Sequence, residues 1–290
     1  MEAFGPYEIV QFVAATDMAR VYLAQDRRSG ERVALKVLAA DMNEARFTRE
    51  AEVLASLRHP SIVRYVDHGT SNGDAWLATE WLDGEPLSAR LERERMTLGE
   101  ILAMANLVVQ ALAFLHARGI VHRDVKPGNV FLVASDPRRP RLLDFGIARD
   151  GERANLTAAH VIMGTPQYMP PEQALDARSA DARADVFALG AMLFHCVTGR
   201  PLYTADSVAQ LFAEVALARV PRMSSLVPYV PEELDDLVAR ATSADRSERH
   251  ASALELLADL EKVPRESYCE GESVTRIRVA RRDVTSRVSG

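Results

Sequence analysis

The stretch His122-Arg123-Asp124-Val125-Lys126-Pro127-Gly128-Asn129, followed by Asp144-Phe145-Gly146, is the most informative part of this chain. It places a carboxylate, an ammonium and a carboxamide in one short loop, with a second carboxylate shortly after it. Phosphoryl transfer needs these groups: a residue to orient a hydroxyl, a positive charge for the transferring phosphate, and oxygen ligands for Mg²⁺. The pattern therefore predicts a phosphotransferase.

The same stretch resembles the catalytic loop and metal-binding turn of eukaryotic-like (Hanks-type) serine/threonine protein kinases. The segments Gly164-Thr165-Pro166-Gln167-Tyr168-Met169 and Asp181-Ala182-Arg183-Ala184-Asp185-Val186 are similar to bacterial members of that family. The resemblance covers roughly residues 6–263. It implies an α+β, two-lobed protein kinase fold, in which a small lobe has a five-stranded antiparallel sheet and one helix, and a larger lobe is mainly helical.

The composition is typical of a soluble globular protein. Of the 290 residues, 48% are hydrophobic and 26% are charged, which suffices for a sizeable core. The formal net charge of -6 argues against nucleic acid as a partner. The two cysteines, Cys196 and Cys269, do not form a disulfide framework and favour a reducing compartment. We find neither a signal peptide nor an apolar run of ~20 residues, so we expect a cytoplasmic protein with no membrane span.

Hydrophobic periodicity divides the chain into a strand-rich part and a helical part. Short runs rich in β-branched and aromatic residues predict five strands, at residues 7–13, 21–25, 32–38, 62–66 and 76–79. Between the third and fourth strands, apolar residues recur at helical spacing at Phe47, Ala51, Leu54 and Leu57. These strands and this helix form the predicted small lobe.

The second part of the chain carries helix-start signals. Thr97 and Glu100 match a capping box that opens a helix ending near His116. Residues 185–198 are apolar enough for a buried helix, and Pro231 and Ser252 mark two later helix starts. We expect a kinase domain over 1–263, with a small lobe over about 6–82, a large lobe over about 85–263, and a flexible tail over 264–290.

The family resemblance implies where ATP would bind. Lys36, on a predicted strand, would meet the α- and β-phosphates and would be held by Glu50 of the small-lobe helix. The base would meet the hinge backbone at Glu80 and Leu82. The remaining nucleotide-binding residues are expected to be the apolar roof, the floor and the residue before the hinge, namely Val13, Val21, Ala34, Phe131 and Thr79.

The resemblance also assigns the chemistry. Asp124 would orient the acceptor hydroxyl, and Lys126 would neutralise charge on the γ-phosphate. Asn129 and Asp144 would be the Mg²⁺ ligands, because carboxamide and carboxylate oxygens suit a hard cation. Arg123 resembles the arginine that pairs with a phosphorylated activation segment.

The segment from Asp144 to Glu172 resembles an activation segment that docks a peptide substrate. Glu172 is expected to pair with Arg249, and Asp185 to hold the catalytic loop from below; both roles are structural. Thr157 and Thr165 are the candidate activating phosphosites. The resemblance therefore implies protein substrates bearing Ser or Thr, the chain itself included, and leaves open a dimer that phosphorylates in trans. In the tail, Thr275, Thr285 and Ser286 are candidates for autophosphorylation.

One motif departs from the family pattern. The phosphate-covering loop of protein kinases has three glycines, and the corresponding residues here are Ala14, Thr16 and Ala19, with the acidic Asp17 between them. Glycine tolerates unusual backbone angles and lets N–H groups approach phosphate. We therefore expect weakened ATP binding. A pseudokinase that acts as a regulatory scaffold stays open as an alternative, and a small-molecule phosphotransferase is disfavoured by the activation segment.

Overall fold

The small lobe is an antiparallel sheet with one helix packed on it. In this computed structural model the described residues are 3–16, 19–38, 44–71, 73–144, 166–175, 180–205, 207–217 and 220–264. The small lobe consists of the strands β1 (Ala3–Phe4), β2 (Tyr7–Thr16), β3 (Ala19–Asp26), β4 (Arg32–Leu38), β5 (Tyr65–Ser71) and β6 (Asp74–Glu80), with the helix α1 (Glu44–Ser56). The strand order is β1-β2-β3-β4-β6-β5.

The sheet corrects the predicted strand count, because it has six strands instead of five. The additional strand β1 is two residues long. It pairs with Glu8 and Tyr7, which follow a tight turn at Gly5. Two residues are too few to show a periodicity, so the sequence pattern did not reveal this strand. The predicted strand at 62–66 is also displaced, since β5 begins at Tyr65.

The large lobe is mainly helical, as predicted, and begins with a small sheet. Its elements are β7 (Gly84–Pro86), α2 (Leu87–Arg93), α3 (Leu98–His116), β8 (Val130–Val133), β9 (Pro140–Leu142), α4 (Pro171–Leu175), α5 (Ala182–Thr198), α6 (Val208–Leu217), α7 (Glu232–Ala241) and α8 (Ala253–Leu260). Strands β7, β8 and β9 form an antiparallel three-stranded sheet.

The predicted helix starts at Thr97 and Ser252 are confirmed by their cap geometry, and α7 begins directly after Pro231. Thr97 accepts a hydrogen bond from the backbone N–H of Glu100, whose side chain accepts one from the N–H of Thr97. Ser252 accepts from the N–H of Glu255 at the start of α8. These side chains satisfy amide groups that have no partner inside a helix.

Helices α3 and α5 form the centre of the large lobe. The helix α5 is buried along most of its length, including Phe187 and Phe194. Of the described helices, α3 alone is long and apolar enough to cross a membrane by length and composition. It packs against α5 and α8, and its apolar residues such as Met104 and Val108 are fully buried, as in the core helix of a globular lobe.

Within the described residues, the backbone joins the two lobes at two places. One is the chain itself, which passes from Glu80 at the end of β6 to Gly84 at the start of β7. The other is a short parallel bridge between Ile62 and Leu142. There the N–H of Val63 donates to the carbonyl of Leu142 at 3.1 Å, and the N–H of Leu142 donates to the carbonyl of Ser61 at 2.8 Å. This bridge explains why β5 begins later than predicted.

Candidate active site

Strand register places four of the predicted nucleotide-binding residues on one face of the small-lobe sheet. Val21 lies opposite Lys36, and Ala34 lies opposite Thr79. Lys36 and Ala34 are two residues apart on β4, so all four side chains share a face. The neighbouring Leu35 is buried in the core on the other side of the sheet.

Lys36 extends from this face to the large lobe. Its ammonium lies 2.6 Å from an oxygen of Asp144. Desolvation by the surrounding protein opposes ionisation of Asp144, but Lys36 outweighs it, with smaller contributions from His122 and Lys126, and the pKa of Asp144 is held below its usual value. The carboxylate of Asp144 is therefore ionised at neutral pH. Glu50, the expected partner of Lys36, lies in α1.

The catalytic loop brings three candidate residues into direct contact. The Nδ2 of Asn129 donates to the carboxylate of Asp124 at 2.7 Å and to its backbone carbonyl at 2.8 Å. The ammonium of Lys126 lies 3.0 Å from the same carboxylate. Because the amide nitrogen of Asn129 is used by Asp124, its Oδ1 is the atom left to bind a cation.

The catalytic loop is held in a strained conformation by a carboxylate beneath it. Arg123 has a φ of 63° and Asp144 a φ of 44°. Both values lie in the left-handed region, which is energetically unfavourable for a residue that has a side chain. The fully buried carboxylate of Asp185 accepts from the N–H groups of His122 and Arg123, both at 2.8 Å. It also lies 2.8 Å from Nε2 of His116. The predicted supporting role of Asp185 is confirmed.

Of the two hinge residues predicted to bind the base, Leu82 has backbone groups without a hydrogen-bond partner in the described part of the chain, and Glu80 uses its N–H within the protein. The N–H of Glu80 donates to the carbonyl of Arg64 at 2.9 Å. The backbone N–H and carbonyl of Leu82 have no hydrogen-bond partner within the described part of the chain. Phe131 lies on β8 and is half-buried. Val13 lies at an irregularity in the pairing of β2 with β3 and is 46% exposed.

In the phosphate-covering segment, the described residues of β2 and β3 pair as antiparallel strands up to Thr16 and Ala19. Ala14 pairs with Val21, and Thr16 pairs with Ala19, so β2 and β3 extend beyond their predicted ends at residues 13 and 21. Neither Ala14 nor Thr16 has a positive φ. These two residues therefore lack the left-handed backbone strain that was one reason to expect weak ATP binding. The side chain of Ala19 is buried in the same apolar cluster as Leu38 and Phe47.

The described end of the activation segment is fixed to the large lobe. The guanidinium of Arg249 donates to both carboxylate oxygens of Glu172, at 2.6 and 2.9 Å, which confirms the predicted pair. Two contacts were not predicted. Gln173 donates to the carbonyl of Arg123 at 2.9 Å, and the hydroxyl of Tyr168 lies 2.6 Å from Nδ1 of His195.

Burial, and secondarily Arg95, lowers the pKa of His195 to about 4, so this ring is neutral at pH 7. No short-range signal in the sequence connects residues 27 positions apart. Several expected residues lie outside the described part of the chain, namely Asp17, Phe145, Gly146, Thr157, Gly164, Thr165, Cys269 and the tail positions Thr275, Thr285 and Ser286.

The two lobes, the contacts of the catalytic loop and the Lys36–Asp144 pair are those of a protein kinase. The protein kinase domain family matches residues 7–259, and the chain belongs to this family.

Among its relatives, the serine/threonine-protein kinase PknD of Mycobacterium tuberculosis is 36% identical over 260 residues, which cover 87% of this chain and 39% of PknD. The serine/threonine-protein kinase PknL of Mycobacterium bovis is 35% identical over 266 residues, covering 90% of this chain and 66% of PknL. A crystal structure of the PknI kinase domain of Mycobacterium tuberculosis, solved as a point mutant, has a TM-score of 0.70 and 31% identity, and covers 90% of this chain and 96% of that one. The chain thus spans about two fifths of the length of PknD.

Proposed function

We propose that this chain is a serine/threonine protein kinase that transfers the γ-phosphoryl group of Mg-ATP to hydroxyl groups of proteins, itself included. The observation that carries the proposal is the contact set of the catalytic loop, in which Lys126 and Asn129 both contact Asp124 while Lys36 contacts Asp144. The relatives PknD and PknL are both named serine/threonine-protein kinases.

Each residue has a separate task in this reaction. The carboxylate of Asp124 orients the acceptor hydroxyl and takes its proton as the oxygen bonds to the γ-phosphorus and the bond to ADP breaks. The ammonium of Lys126 stabilises negative charge on the transferring group. Lys36 positions the α- and β-phosphates, and its 2.6 Å contact with Asp144 supports this role because the ammonium reaches the large lobe.

The oxygen atoms present are suited to Mg²⁺. Oδ1 of Asn129 and the ionised carboxylate of Asp144 are hard ligands, and Mg²⁺ takes one or two such protein ligands together with phosphate oxygens and water. When bound, the ion would neutralise charge on the phosphates. No group of three or more His, Cys, Asp or Glu residues suited to a metal occurs among the described residues.

The nucleotide base is placed by the hinge and the sheet face. The unpaired backbone groups of Leu82 would bond the base, with Val21 and Ala34 above it and Phe131 below it. Val13, Thr79, Glu80 and Glu50 complete the proposed nucleotide site. Because ATP is abundant in the cytoplasm, we place the domain there. The proposed domain limits remain 1–263, with the tail following.

The test is autophosphorylation with labelled ATP and Mg²⁺, comparing the wild type with Asp124→Asn and Asp144→Asn. Both substitutions keep the size of the side chain and remove its charge. We expect label on phosphoserine or phosphothreonine in the wild type and a loss of at least ~10²-fold in each variant, the usual contribution of such groups. Asp74→Asn, which removes a surface carboxylate of β6 that lies 3.8 Å from Arg20, is the matched control and should retain activity.

Wild-type protein that is folded and carries no label at millimolar ATP would contradict the proposal. Label on a small metabolite in place of protein would also contradict it.

A further inference from the structure

A cluster of arginines lies where the two lobes meet, and the proposed reaction uses none of them. They come from four separate parts of the chain: the segment after α1, the segment before β5, the segment after α3, and β9. We name this cluster the interlobe basic patch; its members are Arg58, Arg64, Arg118 and Arg141. Arg58 and Arg118 are exposed, Arg64 has 51% of its side chain exposed, and Arg141 has 25%.

Ring contacts link Arg118 of the large lobe to His59 of the small lobe. The guanidinium of Arg118 stacks over the ring of Phe114 at 3.6 Å, and the ring of His59 lies 5.1 Å from Phe114. The pKa of His59 is lowered, by burial first and then by the positive charges of Arg141 and Arg118. A positive potential from the large lobe therefore acts at His59 of the small lobe, which directly follows Arg58.

The positive charge is poorly compensated. Within the described residues, the only carboxylate that pairs with the patch is Glu80, at 3.7 Å from Arg64 and 3.9 Å from Arg141. Arg58 and Arg118 have no carboxylate within ion-pair distance in that part of the chain. In the described part of the chain, two of the four guanidinium groups thus pair with one carboxylate and the other two with none, although the net charge of the chain is -6.

Two of the guanidinium groups are already oriented. Nη1 of Arg58 donates to the carbonyls of Ala55 and Leu57, at 2.9 and 2.8 Å. Nη1 of Arg118 donates to the carbonyl of Phe114 at 2.9 Å. Each guanidinium keeps further N–H groups for a ligand, and less conformational entropy is lost when an anion binds to a side chain that is already held.

We propose that the interlobe basic patch binds a phosphorylated segment of a protein. Guanidinium groups match the geometry of phosphate oxygens. A phosphate dianion would also supply negative charge to compensate the arginines of the patch, which pair with a single carboxylate within the described residues. A kinase releases such segments as its own products, so this source rests on the proposed function. Nucleic acid fits less well, because four arginines at one junction provide a compact anion site and the chain as a whole is acidic.

The position of the patch gives binding a second consequence. His59, Arg64 and Glu80 belong to the small lobe, whereas Phe114, Arg118 and Arg141 belong to the large lobe. A phosphate that contacts Arg64 and Arg141 together would join the lobes beside the segment that connects them. Phosphorylated product would then alter how the cleft opens.

The test is fluorescence anisotropy with a labelled phosphothreonine peptide and the Asp124→Asn chain, without ATP. Since this variant transfers no phosphate, the result does not depend on whether the proposed function is right. The patch variant is R118Q/R141Q. The control is R20Q/R27Q, which removes two arginines of the small lobe, each of which pairs with a carboxylate. Circular dichroism confirms that all variants are folded.

We expect the patch variant to bind at least ~10-fold more weakly, and the control within about twofold of the parent chain. We also expect the pKa of His59, followed by NMR, to rise when the peptide is added. Equal binding by the patch variant, or equal binding of the unphosphorylated peptide, overturns the proposal. Inorganic phosphate that binds as tightly as the peptide would assign the patch to free phosphate, and an oligonucleotide that binds more tightly would assign it to nucleic acid; either result overturns the proposal too.

Discussion

Removing the charge of Glu172 should destabilise the large lobe more than removing any exposed charge. Arg249 is 2% exposed and donates to both oxygens of Glu172. Its remaining N–H groups donate to backbone carbonyls, the shortest of these bonds reaching Ser243 at 2.8 Å, and its guanidinium lies 4.8 Å from the centroid of the Phe187 ring. Glu172→Gln keeps one acceptor oxygen and removes the carboxylate that pairs with the guanidinium.

The expected cost follows from the environment of the pair. Breaking a buried ion pair by removing one partner costs about 3–5 kcal/mol, because an uncompensated charge is left behind. The carbonyls around Arg249 compensate for part of that charge, so we place Glu172→Gln near the low end, at about 3 kcal/mol. Against a typical total of about 5–15 kcal/mol, this is a large fraction of the stability.

The measurement is a double-mutant cycle by denaturant unfolding, with Glu172→Gln, Arg249→Met and both together. We expect the double variant to cost about 2 kcal/mol less than the sum of the single variants, since the second substitution removes the charge that the first one leaves unpaired. Thermal unfolding of Glu172→Gln should shift down by about 6–12 °C. The control Asp74→Asn breaks the exposed pair with Arg20 and should cost less than about 1 kcal/mol.

The reasoning would be refuted if the double variant lost as much unfolding free energy as the two single variants together, to within ~0.5 kcal/mol. That result would show that the two side chains do not interact. A cost of Glu172→Gln no larger than that of the exposed control would refute it as well.

Three further predictions concern other parts of the chain. Thr97→Ala removes the capping box of α3 and should cost ~1 kcal/mol in unfolding experiments, whereas Thr97→Ser should cost little. His195 has a pKa of about 4 when folded and about 6.5 when unfolded, so stability should fall as the pH is lowered from about 6.5 to about 4; His195→Gln should reduce that slope. Replacing Ala14 and Ala19 by glycine should destabilise the hairpin by ~1–2 kcal/mol but strengthen ATP binding in calorimetry, and a submicromolar dissociation constant of the wild type would contradict the expected weakness.

The sequence was most informative where chemistry or capping fixes a residue type at a fixed spacing. The catalytic loop and the capping box at Thr97 depend on groups that few other side chains can replace, whereas the pair Glu172–Arg249 was expected only from the family resemblance. The family of the chain and its two-lobed fold followed from these motifs and are confirmed.

The sequence was least informative where pairing between distant residues decides the structure. The length of the hairpin depends on Thr16 pairing with Ala19, and the start of β5 depends on residues 61–63 bonding to Leu142. Likewise, the contact of Tyr168 with His195 joins two segments whose local patterns do not refer to one another. Propensity and periodicity describe one segment at a time, so they cannot predict such partners.

The bridge between Ile62 and Leu142 has a mechanical consequence for the cleft. Two bodies joined only by a flexible strand can twist and slide in any direction. Here the small lobe is attached to the large lobe at the residue 81–83 segment and again at this bridge. Two attachment points define an axis, so the easiest relative motion is rotation about the line between them. We therefore expect the lobes to rotate relative to each other about this line. Such a rotation would change the distance between Lys36 and Asp144.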